Sequence, residues 1–423
     1  MTRLALLCCA VTVLCVGLHA QVTPDPKHPQ WLRKDGTCFF MCGPGDPEGF
    51  LYRGKLNADG TRDGDQMKLI DKLRGTGANC IYLMAVRSHG GDGDRTENPF
   101  IDHDPKRPLN AKLLDQWERW FKAMDEAGIV VFFFIYDDSA RVWDTGDEVG
   151  PWEKTFLEAL VGRFKHHDHL IWCVAEEYQE RLSAKRVSAI AATLRAADDR
   201  KHPIAVHKLN GLSFREFADD PNIDQFAIQY NVKSAAELHD GLVRAFGEAK
   251  GRYGLNLSEC APWGAAAEHR AKLWACTMAG AHVMVLGMDI EKTAKEDLEA
   301  CGHAARFMRA WLHVAPDAVP DDSLRRDDTQ YVMTAGKPRR DRHALYGSSV
   351  GRGLGVSALD AGNYDLLWLD CVTGRHERTK HRQTADGPAT FKPPDGFGPE
   401  LALMVLREGQ GDDPLRLIRK ETR

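Results

Sequence analysis

Two adjacent glutamates, Glu176 and Glu177, follow five consecutive apolar residues, Leu170 to Val174, and a third, Glu259, closes the stretch Gly254-Leu-Asn-Leu-Ser-Glu259. Carboxyl groups delivered by two different strands can divide acid and base work across a glycosidic bond. One neutral acid protonates the leaving oxygen, while one carboxylate attacks or stabilises the anomeric carbon. The division requires two environments, because burial beside a second carboxylate raises a carboxyl pKa and keeps its proton near neutral pH. A single glutamate reads as a solvated strand end, whereas two matched strand ends point to chemistry.

The elements that position them follow from the hydrophobic pattern. An unbroken apolar run of this length fits a strand covered on both faces, as in parallel sheets. From Thr37 to His313 such runs alternate with amphipathic segments, a βαβα pattern. Eight strands are predicted: Cys38 to Cys42, Asn79 to Ala85, Ile129 to Tyr136, Leu170 to Ala175, Ile204 to His207, Gln225 to Tyr230, Gly254 to Ser258 and His282 to Leu286. Helix signals lie between them. Leu113, Trp117, Trp120, Phe121 and Met124 share one helical face before Gly128, Pro151 opens a helix, and Ser234 can cap another that runs to Ala249. A helix from Glu296 to Leu312 ends the set. Eight strands with eight helices predict an α/β fold, a (β/α)8 TIM barrel over residues 21–315, whose strand C-termini open on the catalytic face.

After Pro316 the texture changes to a charged linker, Pro320 to Asp328, and short runs such as Tyr331 to Thr334, Ala344 to Ser348, Leu366 to Leu369 and Leu401 to Leu406. These predict a small all-β sandwich domain over residues 329–408, with a polar tail at 409–423. At the other end, Arg3 and the apolar run Leu4 to Leu18 before Ala20 read as a signal peptide over residues 1–20, so the protein is expected to be secreted or periplasmic. Without that leader, 55 basic side chains face 61 acidic ones, a net charge of −6 that argues against nucleic acid as a partner. No membrane association is expected of the mature chain, and the oligomeric state is open. Eight cysteines remain of 11, with no CxxC spacing, so no zinc site is expected. Cys80 and Cys173 fall within core strands and are read as buried free thiols.

Other residues fall at predicted strand ends. Asp137, Asp138 and His207 are candidate sugar ligands. Trp143, Trp152 and Trp263 lie in or near βα loops, where an indole face can stack on a sugar ring, and Trp263, four residues past Glu259, is the favoured platform. Gly90-Gly-Asp-Gly-Asp94 lacks the ligand spacing of an EF-hand and reads as a polar wall of the cleft. His166-His-Asp-His169 precedes its strand, so it is placed on the stability face as a solvated turn. No metal or other cofactor is expected.

The stretch Trp172-Cys-Val-Ala-Glu-Glu177 resembles the Trp-x-x-x-Asn-Glu strand-four motif of retaining clan A glycoside hydrolases, and Ser258-Glu259 resembles their strand-seven nucleophile. The resemblance implies Glu177 as acid/base, Glu259 as nucleophile and Glu176 as a substrate ligand where those enzymes carry Asn. It further implies that Arg87 and Tyr230 hold the Glu259 carboxylate. Gly43-Pro-Gly-Asp46, His202-Pro-Ile-Ala-Val-His207, Trp368-Leu-Asp-Cys-Val-Thr-Gly374 and Thr390-Phe-Lys-Pro-Pro394 occur in the order found in apiosidase-like barrels, which carry a C-terminal β domain named for collagen binding. The expected function is therefore a secreted retaining glycoside hydrolase acting on a carbohydrate substrate by two-glutamate double displacement. The alternatives are an inactive carbohydrate-binding barrel and a matrix or collagen adhesin acting through the C-terminal domain.

Overall fold

The computed structural model describes residues 21–335, 340–409 and Pro414, so the leader segment and nearly all of the polar tail lie outside the described residues. Eight parallel strands form the central sheet: β1 Cys42–Asp46, β2 Cys80–Val86, β3 Val130–Tyr136, β4 Leu170–Ala175, β5 Ile204–Lys208, β6 Gln225–Gln229, β7 Gly254–Glu259 and β8 His282–Asp289. Neighbours pair in chain order from β2 through to β8, and β8 pairs with β1. Asn79 closes the ring between β1 and β2. Its backbone N–H donates to the Cys42 carbonyl at 3.0 Å, and its side chain bridges the Cys42 N–H and the Phe40 carbonyl.

Seven α-helices surround the sheet: α1 Gln66–Leu73, α2 Ala111–Ala127, α3 Pro151–Phe164, α4 Ala184–Ala197, α5 Ala235–Ala249, α6 Ala266–Met278 and α7 Lys295–Val314. Their ends follow local chemistry. Asn110 and Ser234 accept the first free N–H groups of α2 and α5, and Gly128 ends α2 in the left-handed region. The eighth predicted helix is missing among the described residues. Between β5 and β6 the chain makes only the short 3-10 turn Arg215–Phe217, where Phe214 and Phe217 pack on Phe226 in place of a helix face.

The first strand also differs from expectation. The segment predicted as strand one contributes Thr37–Phe39 to a three-stranded antiparallel sheet with Thr23–Pro24 and Leu32–Lys34. Val22, Leu32, Phe39 and Met41 from this region join the apolar cluster of the barrel interior. The true β1 is Cys-Gly-Pro-Gly-Asp, which has no apolar run to reveal it. Its glycines are set by crowding, since a Cβ at Gly45 would stand 2.6 Å from the Leu286 nitrogen of β8.

The C-terminal region is a sandwich of two antiparallel sheets. The larger, six-stranded sheet includes Tyr331–Ala335, Arg342–Gly347, Gly362–Asp370, His376–Gln383 and Leu401–Arg407; the smaller contains Arg325–Asp327, Leu354–Leu359 and Gly387–Phe391. The stretch read as a linker thus belongs to the fold, supplying Arg325–Asp327 to one sheet while Val319–Pro320 edges the other. Alternation along the larger sheet divides its side chains. Val332, Leu345, Trp368 and Leu403 face the smaller sheet, whereas Met333, Tyr346, Leu369 and Met404 join the core that runs into the barrel helices. Trp274 of α6 stacks on Tyr346 at 5.1 Å, His239 of α5 stacks on Tyr331 at 3.9 Å, and Arg270 pairs with Glu400 at 2.8 Å.

The β sandwich therefore buttresses the barrel and shares its core. Ending the chain at Ala315 should expose Trp274 and the apolar faces of α5 to α7, lowering the melting temperature and promoting aggregation. A truncated barrel that stays monomeric in light scattering and melts with the full chain would contradict this.

Candidate active site

Glu176, Glu177 and Glu259 meet in one cavity of about 290 Å³ at the C-terminal ends of the strands, together with Asp46, Glu48, Asp92, Asp138, Ala261, Leu286 and Gly287. Seven of these ten lining residues are carboxylic acids, so the electrostatics of the site turn on which of them keep protons.

Glu176 is buried, and the Tyr82 hydroxyl donates to its Oε1 at 2.5 Å. Burial raises its pKa well above the carboxylate range, and nearby Glu48 adds to the effect. Its carboxyl oxygen also lies within 4.8 Å of oxygens of Asp137 and Asp138. Carboxyl groups this close resist ionising together, so proximity adds to burial in favouring a neutral form within the pair. Glu48 is likewise pushed up to about 7 by burial. Arg87 offsets the charge that remains. Its guanidinium reaches Glu48, Glu97 and Asp137, each at 3.1 Å.

Glu177 leaves β4 in a left-handed conformation, φ 35° and ψ 48°, which costs a non-glycine residue on the order of 1–3 kcal/mol. The backbone N–H of Glu177 donates to His207 Nδ1 at 2.9 Å. Burial drives the His207 pKa down to about 3, so the ring is neutral, with its proton on Nε2. The carboxylate of Glu177 accepts from Gln229 Nε2 at 2.5 Å, and Gln229 Oε1 in turn accepts the Asn210 N–H at 2.5 Å, which fixes the orientation of the amide. Burial first, and then the charge of Glu259, raise the Glu177 pKa to about 7. Glu259, partly exposed at the end of β7, accepts from Asn231 Nδ2 at 3.3 Å. Its strand registers Glu259 beside Gln229, the same residue that binds Glu177, so β6 bridges the two carboxyl groups.

Several expected contacts are absent. Arg87 binds the Glu48, Glu97 and Asp137 cluster and not Glu259. The Tyr230 ring packs on Gly241 and Leu212, so the phenol does not serve Glu259, which meets the amide of Asn231. Strand parity explains this: Gln225, Ala227 and Gln229 face the barrel interior, so Tyr230 faces α5. Trp263 is buried and donates to His269 Nδ1 at 2.7 Å, leaving no face for a sugar. Trp143 packs on Phe100 and Phe156, while Trp152, at the start of α3, is exposed. His207 and Asp137 are both buried, one propping the Glu177 backbone and the other bound to Arg87 and to the Asp92 N–H. The Gly90–Asp94 turn does wall the cavity through Asp92. At the opposite end of the barrel, His167 and His169 are buried and bonded to Asp125, which corrects the reading of a solvated turn.

Sequence reasoning missed Tyr82, Gln229, Asn231, Asp46 and Glu48. Correct interior parity on β6 would have found Gln229, and a correct β1 would have placed Asp46 at a strand end.

Among the described residues, two oxygen clusters have metal-ligand spacing, Asp137 with Asp138 and Glu176, and Asp138 with Glu177 and Glu180. Oxygen-only donors of this kind suit a hard cation such as Ca²⁺. Asp137, Glu176 and Glu177 are, however, already engaged by Arg87, Tyr82 and Gln229.

Residues 31–288 match the family described as Apiosidase-like, catalytic domain. The chain belongs to this family. As a member it is a glycoside hydrolase. No curated relative matches it in sequence. Among solved structures, a glycoside hydrolase family 5 protein from Bacteroides vulgatus is similar with a TM-score of 0.65 at 14% identity, covering 92% of this chain and 94% of that one. A structure described as a glycoside hydrolase reaches a TM-score of 0.67 at 14% identity, covering 94% and 98%. At these identities the likeness is one of fold, and it extends across the barrel and the β sandwich together.

Two outcomes follow from the geometry. Replacing Arg87 by Met leaves Asp137 and Glu48 without a counter-charge and should lower stability by about 3–5 kcal/mol in denaturant titrations near neutral pH. The deficit should shrink on acidification, because carboxyls whose pKa is raised in the folded state stabilise it once they take up protons. Replacing Gln229 by Leu removes a donor to the charged form of Glu177. The Glu177 pKa should then rise, and the alkaline limb of the kcat/KM profile should move to higher pH.

Proposed function

We propose that the protein is an exported, retaining glycoside hydrolase in which Glu177 is the acid/base and Glu259 the nucleophile. The carrying observation is that a half-buried carboxyl with a pKa near 7 faces the same small cavity as a second carboxylate that raises it. Glu177 can hold a proton for the leaving oxygen near neutral pH, and Glu259, which accepts from the Asn231 amide, faces the same cavity as nucleophile. Once the leaving group departs, the same Glu177 carboxylate can take a proton from water, and the water oxygen then attacks the glycosyl-enzyme at the anomeric carbon.

Glu176 is assigned a different role. Buried against Tyr82 and Asp137, it holds a proton that limits charge repulsion beneath the cavity, and its carboxyl edge is available to a sugar hydroxyl. The substrate is a carbohydrate, read from family membership and from the carboxyl-rich lining. Export rests on the leader-like run Leu4 to Leu18.

Glu177→Gln should slow cleavage of natural glycosides by about 10²–10⁴-fold while sparing aryl glycosides with good leaving groups. Equal losses on both would remove Glu177 from the acid role, and the same selectivity in Glu176→Gln would transfer that role to Glu176. Glu259→Gly should lose hydrolysis but turn over with azide, forming a glycosyl azide of inverted configuration, and proton NMR of the first wild-type product should show the retained anomer. An inverted first product would make Glu259 a base that activates water.

A further inference from the structure

The catalytic cavity, about 290 Å³, lies at the lower edge of the roughly 300–1,000 Å³ usual for ligand pockets. It shares lining residues with a neighbour. Asp46, Glu48 and Gly287 also line a second cavity of about 660 Å³, which runs between the starts of α6 and α7. Gly287 forms the sill between the two. Its φ of +92° is one that L side chains rarely adopt, and its N–H is tied to Asp46 Oδ2 at 2.7 Å, so the passage stays free of a side chain at this position.

The lining of the second cavity differs from that of the first. Ala265, Ala294 and Met288 present apolar surface beside the Thr293 hydroxyl and the Asp289–Lys292 ion pair at 3.1 Å. Apolar patches set between hydroxyl-binding groups match a sugar ring, whose C–H faces and O–H edges have the same mixed character. The charge balance is acidic, with Asp46, Glu48, Asp289 and Asp297 against Lys292. The two helix N-termini do not reverse it. Both Asp297 carboxylate oxygens accept the Ala266 N–H at 3.1 Å, and Glu296 adds a second acid to the first turn of α7.

We propose that this cavity is a second sugar subsite, taking an uncharged sugar of the same substrate that places another ring in the catalytic cavity. The inference rests on the glycosidase reading and narrows it: the substrate is an oligosaccharide or polysaccharide with neutral sugars at both positions. Ala265 and Ala294 are both exposed on the cavity wall, outside the barrel core, so a bulky side chain at either can fill the space without repacking the interior.

The test uses full-length Glu259→Gln protein and calorimetric titration with cello-, xylo-, manno- and galacto-oligosaccharides, with galacturonate oligosaccharides and the matching monosaccharides alongside. In at least one neutral series, the second sugar should tighten binding by about tenfold, and adding Ala265→Trp or Ala294→Trp should abolish that gain. The absence of a gain in every series, or a gain that survives both tryptophans in folded protein, overturns the subsite. A larger gain with galacturonate oligosaccharides overturns the assignment of an uncharged sugar. Failure of the wild type to release sugar from any of these oligosaccharides would instead overturn the hydrolase reading, and the binding result would stand apart from it.

Discussion

The active end of the barrel depends on keeping a crowd of carboxyl groups together. Seven acids around one small cavity would repel one another if all were ionised in a poorly solvated space. Two devices prevent this. Arg87 spreads one guanidinium over Glu48, Glu97 and Asp137, and burial raises the proton affinity of Glu176, which the arginine does not pair, and of Glu48. The raised proton affinity of Glu177 follows first from burial and then from the charge of Glu259, so the same crowded, poorly solvated space favours the protonated form of this carboxyl.

Position is set by the barrel and local angle by side-chain props. β4 is buried along its whole length, but the turn into Glu177 has left-handed backbone. His207 at the end of β5 and Gln229 at the end of β6 hold that residue, one by its amide and the other by its carboxylate. Both come from strands next in order along the sheet, so Glu177 is oriented by its neighbours in the barrel, with Asn210 from the β5–β6 connection fixing the Gln229 amide. On the far side, the stack of Trp274 on Tyr346 and the Arg270–Glu400 pair join α6 to the β sandwich. The helix that follows the Glu259 strand is thereby anchored outside the barrel.

Barrel architecture was legible in the sequence because β2, β3 and β4 are apolar throughout and β8 carries the run Val283 to Leu286, the pattern of strands covered on both faces. Gly128 after α2, Pro151 at the start of α3 and Ser234 before α5 marked three of the helices. The first strand was hidden because close packing against β8 calls for glycines where a core strand would otherwise show branched side chains. The polar edge strand His376–Gln383 was hidden for a related reason, since it lies at the rim of its sheet and needs no apolar face.

The sequence by itself determined that acidic side chains stand at the ends of β4 and β7, because strand length and the start of polar residues are local properties. Only the tertiary structure decided their partners. Arg87 turned to Asp137, Tyr230 faced α5, Trp263 sank beside His269, and Gln229 and Asn231 took the contacts expected of others. Those choices depend on the side of each strand that faces the interior and on the charge that neighbouring strands bring near. Both are fixed only when eight separate segments close into a ring.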